Sequence, residues 1–314
     1  MDTDEGGTPC LPRGHRADAR ILLFSSLARA DWLRIRVRRR VLCTFPFSRL
    51  RAHDYRKRLA AFSTPAERFR GEPDIRSRFA HTGAVMLAGN DLAAFFGDSS
   101  AFFALCNETR ALVAASCDCI LENEGALNLC PEFYRLGLTP AILDLAEDCL
   151  GLDCYYLGAT LKREKADRRV AGTRQWHMDV EDEKLFRVLV YLAPVTADGG
   201  PFEFFARATS QTIKAKLHYH AGYVEDARMA AAASVPPCQC TGNTGDAVIF
   251  DGAGVFHRGL APFAQDRYSI TFAYSSRRPL ELRQSARLPA SLHERFLSTL
   301  SARQRATVPP PRLF

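Results

Sequence analysis

His177 and Asp179 stand two positions apart in Trp176-His177-Met178-Asp179, an imidazole and a carboxylate separated by one residue. In extended chain, residues i and i+2 point the same way, so this tetrapeptide offers two metal ligands on one face while Trp176 and Met178 pack behind. A second imidazole from elsewhere would complete a facial set of two histidines and one carboxylate. On Fe(II) that set leaves three positions open for O2 and an organic chelate. His257 is the candidate, because Val255-Phe256-His257 follows the strand-like run Ala247 to Asp251 after a short Gly-containing turn. Strands distant in sequence become neighbours in a jelly roll. The expected metal ligands and catalytic centre are therefore His177, Asp179 and His257.

Ten positions later, Asp266-Arg267-Tyr268-Ser269 opens the last apolar strand. A loop carrying Pro262 lets that strand return beside His257, with Arg267 and Ser269 on one face. A guanidinium stays protonated and presents a planar fork, which is what a carboxylate buried in an apolar barrel requires. A serine hydroxyl adds one donor. 2-Oxoglutarate chelates iron through its keto-acid end and leaves such a carboxylate several ångströms deeper, so Arg267 and Ser269 are expected to bind it.

Other chemistry-bearing residues have plainer readings. His218 and His220 form an H-x-H pair, but Lys214 and Lys216 share their segment and no carboxylate stands beside them. The C-x-C pairs Cys117/Cys119 and Cys238/Cys240 lack the wider knuckle spacing of a thiolate zinc site. Glu203 and Arg207 either reach a substrate or form a surface salt bridge. The phenylalanines at 95 to 103 and 202 to 205 read as core rather than as a lipid pocket.

The elements that must position these residues divide the chain in two. Apolar residues recur at three and four from Asp91 to Glu122, a helical stripe, and Thr139-Pro140 starts a helix over Ala141 to Leu150 that Gly151 stops. After Gly151 come short runs rich in Val, Tyr, Phe and Ile: Asp153 to Leu161, Phe186 to Ala193, Phe202 to Ala206, Ala247 to Asp251 and Tyr268 to Tyr274. A helix over Ala290 to Gln304 and a Pro-rich tail close the chain. This order predicts an α+β protein whose core is a double-stranded β-helix, a cupin-like jelly roll, over about 150–280 with flanking helices.

The chain has 314 residues and a formal charge of +7, which at first suggests a nucleic-acid partner. Residues 1–60 hold 14 Arg/Lys against six Asp/Glu, leaving 28 against 29 for the rest, so the basic character belongs to that segment alone. Residues 1–60 are read as a poorly ordered basic extension and 61–314 as a single domain, with no nucleic-acid partner. An anion-binding adaptor role for Arg34 to Arg40 is the competing reading of the extension. No apolar run approaches the roughly 20 residues of a membrane span. Ten cysteines without a C-x-x-C pair or a leading signal peptide suggest reduced thiols and a cytoplasmic location.

Taken together, W-H-x-D, the later F-H-x-G at Phe256-His257-Arg258-Gly259 and R-x-S resemble the phytanoyl-CoA dioxygenase branch of the Fe(II)/2-oxoglutarate oxygenases. The likeness covers about residues 150–278. Gly199-Gly200-Pro201-Phe202-Glu203-Phe204 resembles that family's Gly-Pro strand, and Tyr191 falls where the family has an aromatic residue lining the cosubstrate pocket. The family's usual Pro-Gly-Ser-His is replaced by Ala206-Arg207-Ala208-Thr209, which bears on the substrate rather than on the iron. The resemblance implies a dioxygenase that uses Fe(II), 2-oxoglutarate and O2, releases succinate and CO2, and hydroxylates a small-molecule substrate. Asp179 vacates no position for halide, so hydroxylation is favoured over halogenation. The rival class is a non-catalytic jelly-roll binding domain that keeps a relic metal site.

Overall fold

The structure is a computed structural model; it describes residues 46–62 and 73–312, with the isolated positions 37, 40 and 41. Most of the expected basic extension, including Arg34, Arg36, Arg38 and Arg39, lies outside the described residues. The composition boundary at residue 60 falls inside a helix, Phe47–Ala61, whose Arg51 pairs with Glu183.

Among the described residues, nine strands form two antiparallel sheets. They are β1 (Ala84–Leu87), β2 (Ile120–Glu122), β3 (Cys154–Glu164), β4 (Phe186–Tyr191), β5 (Phe202–Phe204), β6 (Cys238–Cys240), β7 (Ala247–Phe250), β8 (His257–Gly259) and β9 (Arg267–Ser276). The larger sheet runs β1-β7-β4-β9-β3-β2 and the smaller β6-β5-β8. Neighbours in the sheets are far apart in sequence, which is the jelly-roll arrangement expected from the strand-rich second half.

Alternation along each strand sorts its two faces. On the outer face of the larger sheet, Val188, Ile270, Phe272 and Leu161 are fully buried against helices that include Pro140–Leu150 and Pro131–Leu136. Phe133 of the latter lies 6.0 Å from Phe272, ring centroid to centroid. Each such ring, fully buried, stabilises the fold by about 1.5–3 kcal/mol. The inner face carries Val248 and Phe250 against Phe202 and Phe204 at one end. At the other end Thr160, Lys162, Arg187, Arg267, Ser269 and Thr271 line a cavity of about 600 Å³. The apolar cluster borders the cavity directly, since Phe202 and Phe250 also line it.

The helix over Pro140–Leu150 ends at Gly151, whose φ of +71° is the left-handed stop expected there. Two expectations need correction. The stripe from Asp91 to Glu122 is two helices, Gly89–Ala93 and Ser99–Ala115, plus the edge strand β2, because Gly97 at φ +87° breaks the first and Asp98 caps the second. The helix over Ala290 to Gln304 is split into Ala290–Leu297 and Ala302–Thr307, since Ser301 and Gln304 form a capping box that starts a new helix. Strand β1 went unread because four residues between two helices are too few to show a period. Among the described residues no helix is long and apolar enough to cross a membrane.

Candidate functional site

Residues 176–179 form no regular strand; they extend the edge of the smaller sheet by single-residue bridges. His177 and His257 face each other across one of these, His177 N–H donating to the His257 carbonyl (3.1 Å) and His257 N–H to the His177 carbonyl (3.0 Å). This direct pairing sets the two imidazoles 4.4 Å apart, centroid to centroid. Behind them Trp176 and Met178 are buried in a cluster with Phe205, Tyr219 and Phe256, as alternation requires.

The third candidate ligand, Asp179, is held by the turn between β7 and β8. Asp179 N–H donates to the Gly252 carbonyl (2.7 Å), and a Cβ at Gly252 would run into the Asp179 carboxylate. Asp251 holds that turn by accepting from Leu185 N–H (3.0 Å) and from Arg207 (2.9 Å). The Asp179 oxygens then lie 3.8 Å from His177 Nε2 and 3.9 Å from His257 Nε2. Among the described residues, these three form the one cluster of His, Cys, Asp and Glu whose ligand atoms all fall within 4.8 Å of one another.

The donor set fits a divalent cation. His177 Nδ1 lies 2.8 Å from the Gln175 carbonyl and His257 Nδ1 3.1 Å from that of Val255. A carbonyl only accepts, so each Nδ1 carries the proton and each Nε2 keeps its lone pair for a metal. Burial lowers His177, and burial with the neighbouring His177 ring pushes His257 down to about 3. Burial alone would raise the Asp179 carboxyl, but Arg187 and the two imidazoles more than offset it and hold it well below the usual range. The site therefore presents two neutral imidazoles and one carboxylate at neutral pH.

A pH dependence follows. The unfolded chain takes up protons near the ordinary histidine value of 6.5, whereas the folded site refuses them down to about 3 for His257. Stability is then fully present above about 6.5 and lost progressively as pH falls toward 3. The melting temperature of the metal-free protein should decline across that range, and His257→Gln should make the decline shallower. A wild-type profile flat to pH 4 would contradict buried neutral imidazoles.

Arg187 was not singled out by the sequence. It projects from β4, and its Nε donates to Asp179 Oδ2 at 2.5 Å while Nη2 lies 3.7 Å from Glu181. A charged residue inside the apolar run Phe186-Arg187-Val188-Leu189 was the available signal. Groups that orient a metal ligand are typically worth 10–100-fold in metal affinity, so Arg187→Met should weaken divalent-metal binding by about that factor in a direct titration. Unchanged affinity would show that Arg187 serves only to neutralise charge.

Arg267 and Ser269 both line the cavity, as their shared face requires. Register places β3 beside them, with Glu164 opposite Arg267 and Lys162 opposite Ser269. Arg267 is 3% exposed; its Nε donates to Glu164 Oε2 at 2.8 Å and its Nη2 to the same oxygen. Its Nη1 makes only a long contact, 3.4 Å, to the Leu260 carbonyl. Arg174 stands 3.7 Å from Glu164, and Lys162 Nζ reaches the Thr173 hydroxyl at 3.1 Å. Burial would raise the Glu164 carboxyl, yet Arg267 and Lys162 keep it below its ordinary value. Lys162 and Glu164 lie past the expected end of their strand at Leu161; the strand runs on to Glu164.

Other expected residues stand elsewhere. Tyr191 is not among the cavity-lining residues; its hydroxyl donates to the Cys240 carbonyl (2.6 Å) and accepts from Phe202 N–H (3.0 Å). Glu203 is buried, not at the surface, and bonds Arg258 (2.7 Å) and Gln239 (2.7 Å) away from the cavity. Arg207 binds Asp251. His218 and His220 lie outside the cavity lining.

No protein-family model matches the chain, and no curated protein matches it. Among solved structures it is similar to EctD from S. alaskensis with 2-oxoglutarate and 5-hydroxyectoine, at 19% identity and TM-score 0.49 over 68% of this chain and 79% of that one. It is also similar to the non-heme alpha ketoglutarate dependent epimerase SnoN from nogalamycin biosynthesis (15% identity, TM-score 0.47, 66% and 83% covered). A third is HygX from Streptomyces hygroscopicus with nickel and 2-oxoglutarate (14%, 0.47, 66% and 87%).

Proposed function

We propose that residues 61–314 form a single-domain Fe(II)- and 2-oxoglutarate-dependent dioxygenase that hydroxylates a small polar molecule, releasing succinate and CO2. The observation that carries this reading is the meeting of His177, Asp179 and His257 within 4.8 Å at a cavity that also holds Arg267. Bound Fe(II) would supply O2 activation and oxidative decarboxylation of the keto acid. The chain itself supplies three ligands in one face, a guanidinium for the distal carboxylate, and a rigid frame that positions the target carbon. The order W-H-x-D, F-H-x-G, R-x-S supports placement in the phytanoyl-CoA dioxygenase branch.

The cavity lining supports a polar substrate over a fatty acyl chain. Glu122, Glu181, Tyr223, Arg283 and Gln284 line it, and Glu181 is bridged to Arg283 at 3.1 Å. Burying an acyl chain against these groups would strip water from charges and return no hydrogen bond. The test is 2-oxoglutarate-dependent succinate release with a panel of charged small molecules beside acyl-CoA thioesters. Stimulation by a polar compound is expected; stimulation by acyl thioesters alone would overturn the substrate class.

One observation favours the rival, a jelly-roll binding domain with a metal site but no turnover: the Arg267 fork is already engaged by Glu164. That reading requires that 2-oxoglutarate not bind the metal-loaded protein.

A further inference from the structure

We propose that Glu164 sets the affinity and selectivity of this site for its keto-acid cosubstrate, by holding with its own carboxylate the arginine that a dicarboxylate must engage. The inference rests on the oxygenase reading and adds to it a residue whose charge opposes the cosubstrate.

The argument is one of charge and donors in a confined space. Glu164 and Arg267 face each other across β3 and β9 and are both buried. Glu164 Oε2 takes two of the three donor nitrogens of Arg267, leaving Nη1 with its 3.4 Å contact to Leu260. An incoming carboxylate must then bind the remaining edge of the fork beside a like charge, or displace Glu164 toward Arg174, 3.7 Å away. Lys162, Arg174 and Arg267 surround Glu164, and Asp167 pairs with Arg174, so three cations stand against two carboxylates and a further carboxylate would balance them. Gly259 on β8 packs against the same guanidinium, where a Cβ would run into its nitrogens, so Arg267 has little room to swing to a new position. Glu164 is the member of the pair with an alternative cation within reach.

Like charges held together in a poorly solvated pocket oppose each other, and engaging a free fork is worth a charge-assisted hydrogen bond or two. Glu164→Gln keeps the shape and removes the charge. Measured by anaerobic calorimetry on the Fe(II)-loaded protein, this variant should bind 2-oxoglutarate about tenfold or more tightly than wild type. 2-Oxopentanoate has the same chain length without the distal carboxylate, and its affinity should change less than about twofold. Glu164→Asp, which keeps the charge but withdraws it from Arg267 by one methylene, provides an independent variant should Gln disturb folding; it should fall between the two.

Equal 2-oxoglutarate affinity in wild type and the folded variants would overturn the role of Glu164 while leaving the oxygenase reading intact. A parallel gain for 2-oxopentanoate would also overturn it, since the effect would then not pass through Arg267. If no protein, wild type or variant, binds 2-oxoglutarate, the oxygenase reading fails and this inference with it.

Discussion

His257→Ala is expected to abolish metal-dependent turnover while leaving the chain folded. The imidazole is one of the three proposed ligands and 5% exposed, and alanine offers no donor atom in its place. Deleting a ligand removes more than disturbing its support, so the loss of affinity should exceed the 10–100-fold typical of an outer-shell substitution. The same change removes a buried imidazole that resists protonation, so the metal-free variant should lose less stability in acid than wild type. Loss of metal binding together with a retained cooperative melt is the expected pair of results. Metal bound as tightly as in wild type would remove His257 from the site.

Arg267→Ala is expected to have two separable effects. It strips the principal counter-charge from buried Glu164, and breaking one side of a buried ion pair typically costs about 3–5 kcal/mol. It also removes the fork for the distal carboxylate, so the 2-oxoglutarate requirement should rise by about 10–100-fold. The double variant Glu164→Gln/Arg267→Ala distinguishes them: stability should return in part, because no buried carboxylate is left facing the lost guanidinium although Lys162 and Arg174 lose Glu164 as counter-charge, while weak cosubstrate binding should persist. Arg267→Lys should retain charge but lose the planar fork, raising the 2-oxoglutarate requirement with a smaller effect on folding. Wild-type 2-oxoglutarate affinity in Arg267→Ala would remove this residue from the cosubstrate site.

Much of this arrangement was legible because its periods are local. The two-residue spacing of His177 and Asp179, and again of Arg267 and Ser269, sets which side chains share a face without any knowledge of the partner strand. The strand-rich texture after Gly151 identified the jelly roll, and Gly151 ended its helix where a left-handed residue was needed. What the sequence hid depends on long-range register. Glu164 meets Arg267 across 103 positions, and nothing local distinguishes Lys162-Arg163-Glu164 from a solvated strand end. Arg187 reaches Asp179 only because β4 lies beside β9 and β7. Tyr191 lies on the same face as Arg187 and Leu189 by alternation, yet its hydroxyl is drawn to Cys240 and Phe202, a contact between the two sheets that no period reports. The segment 176–179 is read as extended chain from its spacing, but its pairing through single bridges, His177 directly opposite His257, follows from no local pattern.

The most direct test is an anaerobic titration of the purified chain with Fe(II), followed by 2-oxoglutarate, read by absorption and calorimetry together. One Fe(II) per chain is expected, and then a weak visible charge-transfer band that appears on adding 2-oxoglutarate and is lost in both His177→Ala and His257→Ala. Stoichiometric Fe(II) with no band and no heat of 2-oxoglutarate binding would contradict the account and leave a metal-binding jelly roll without the cosubstrate.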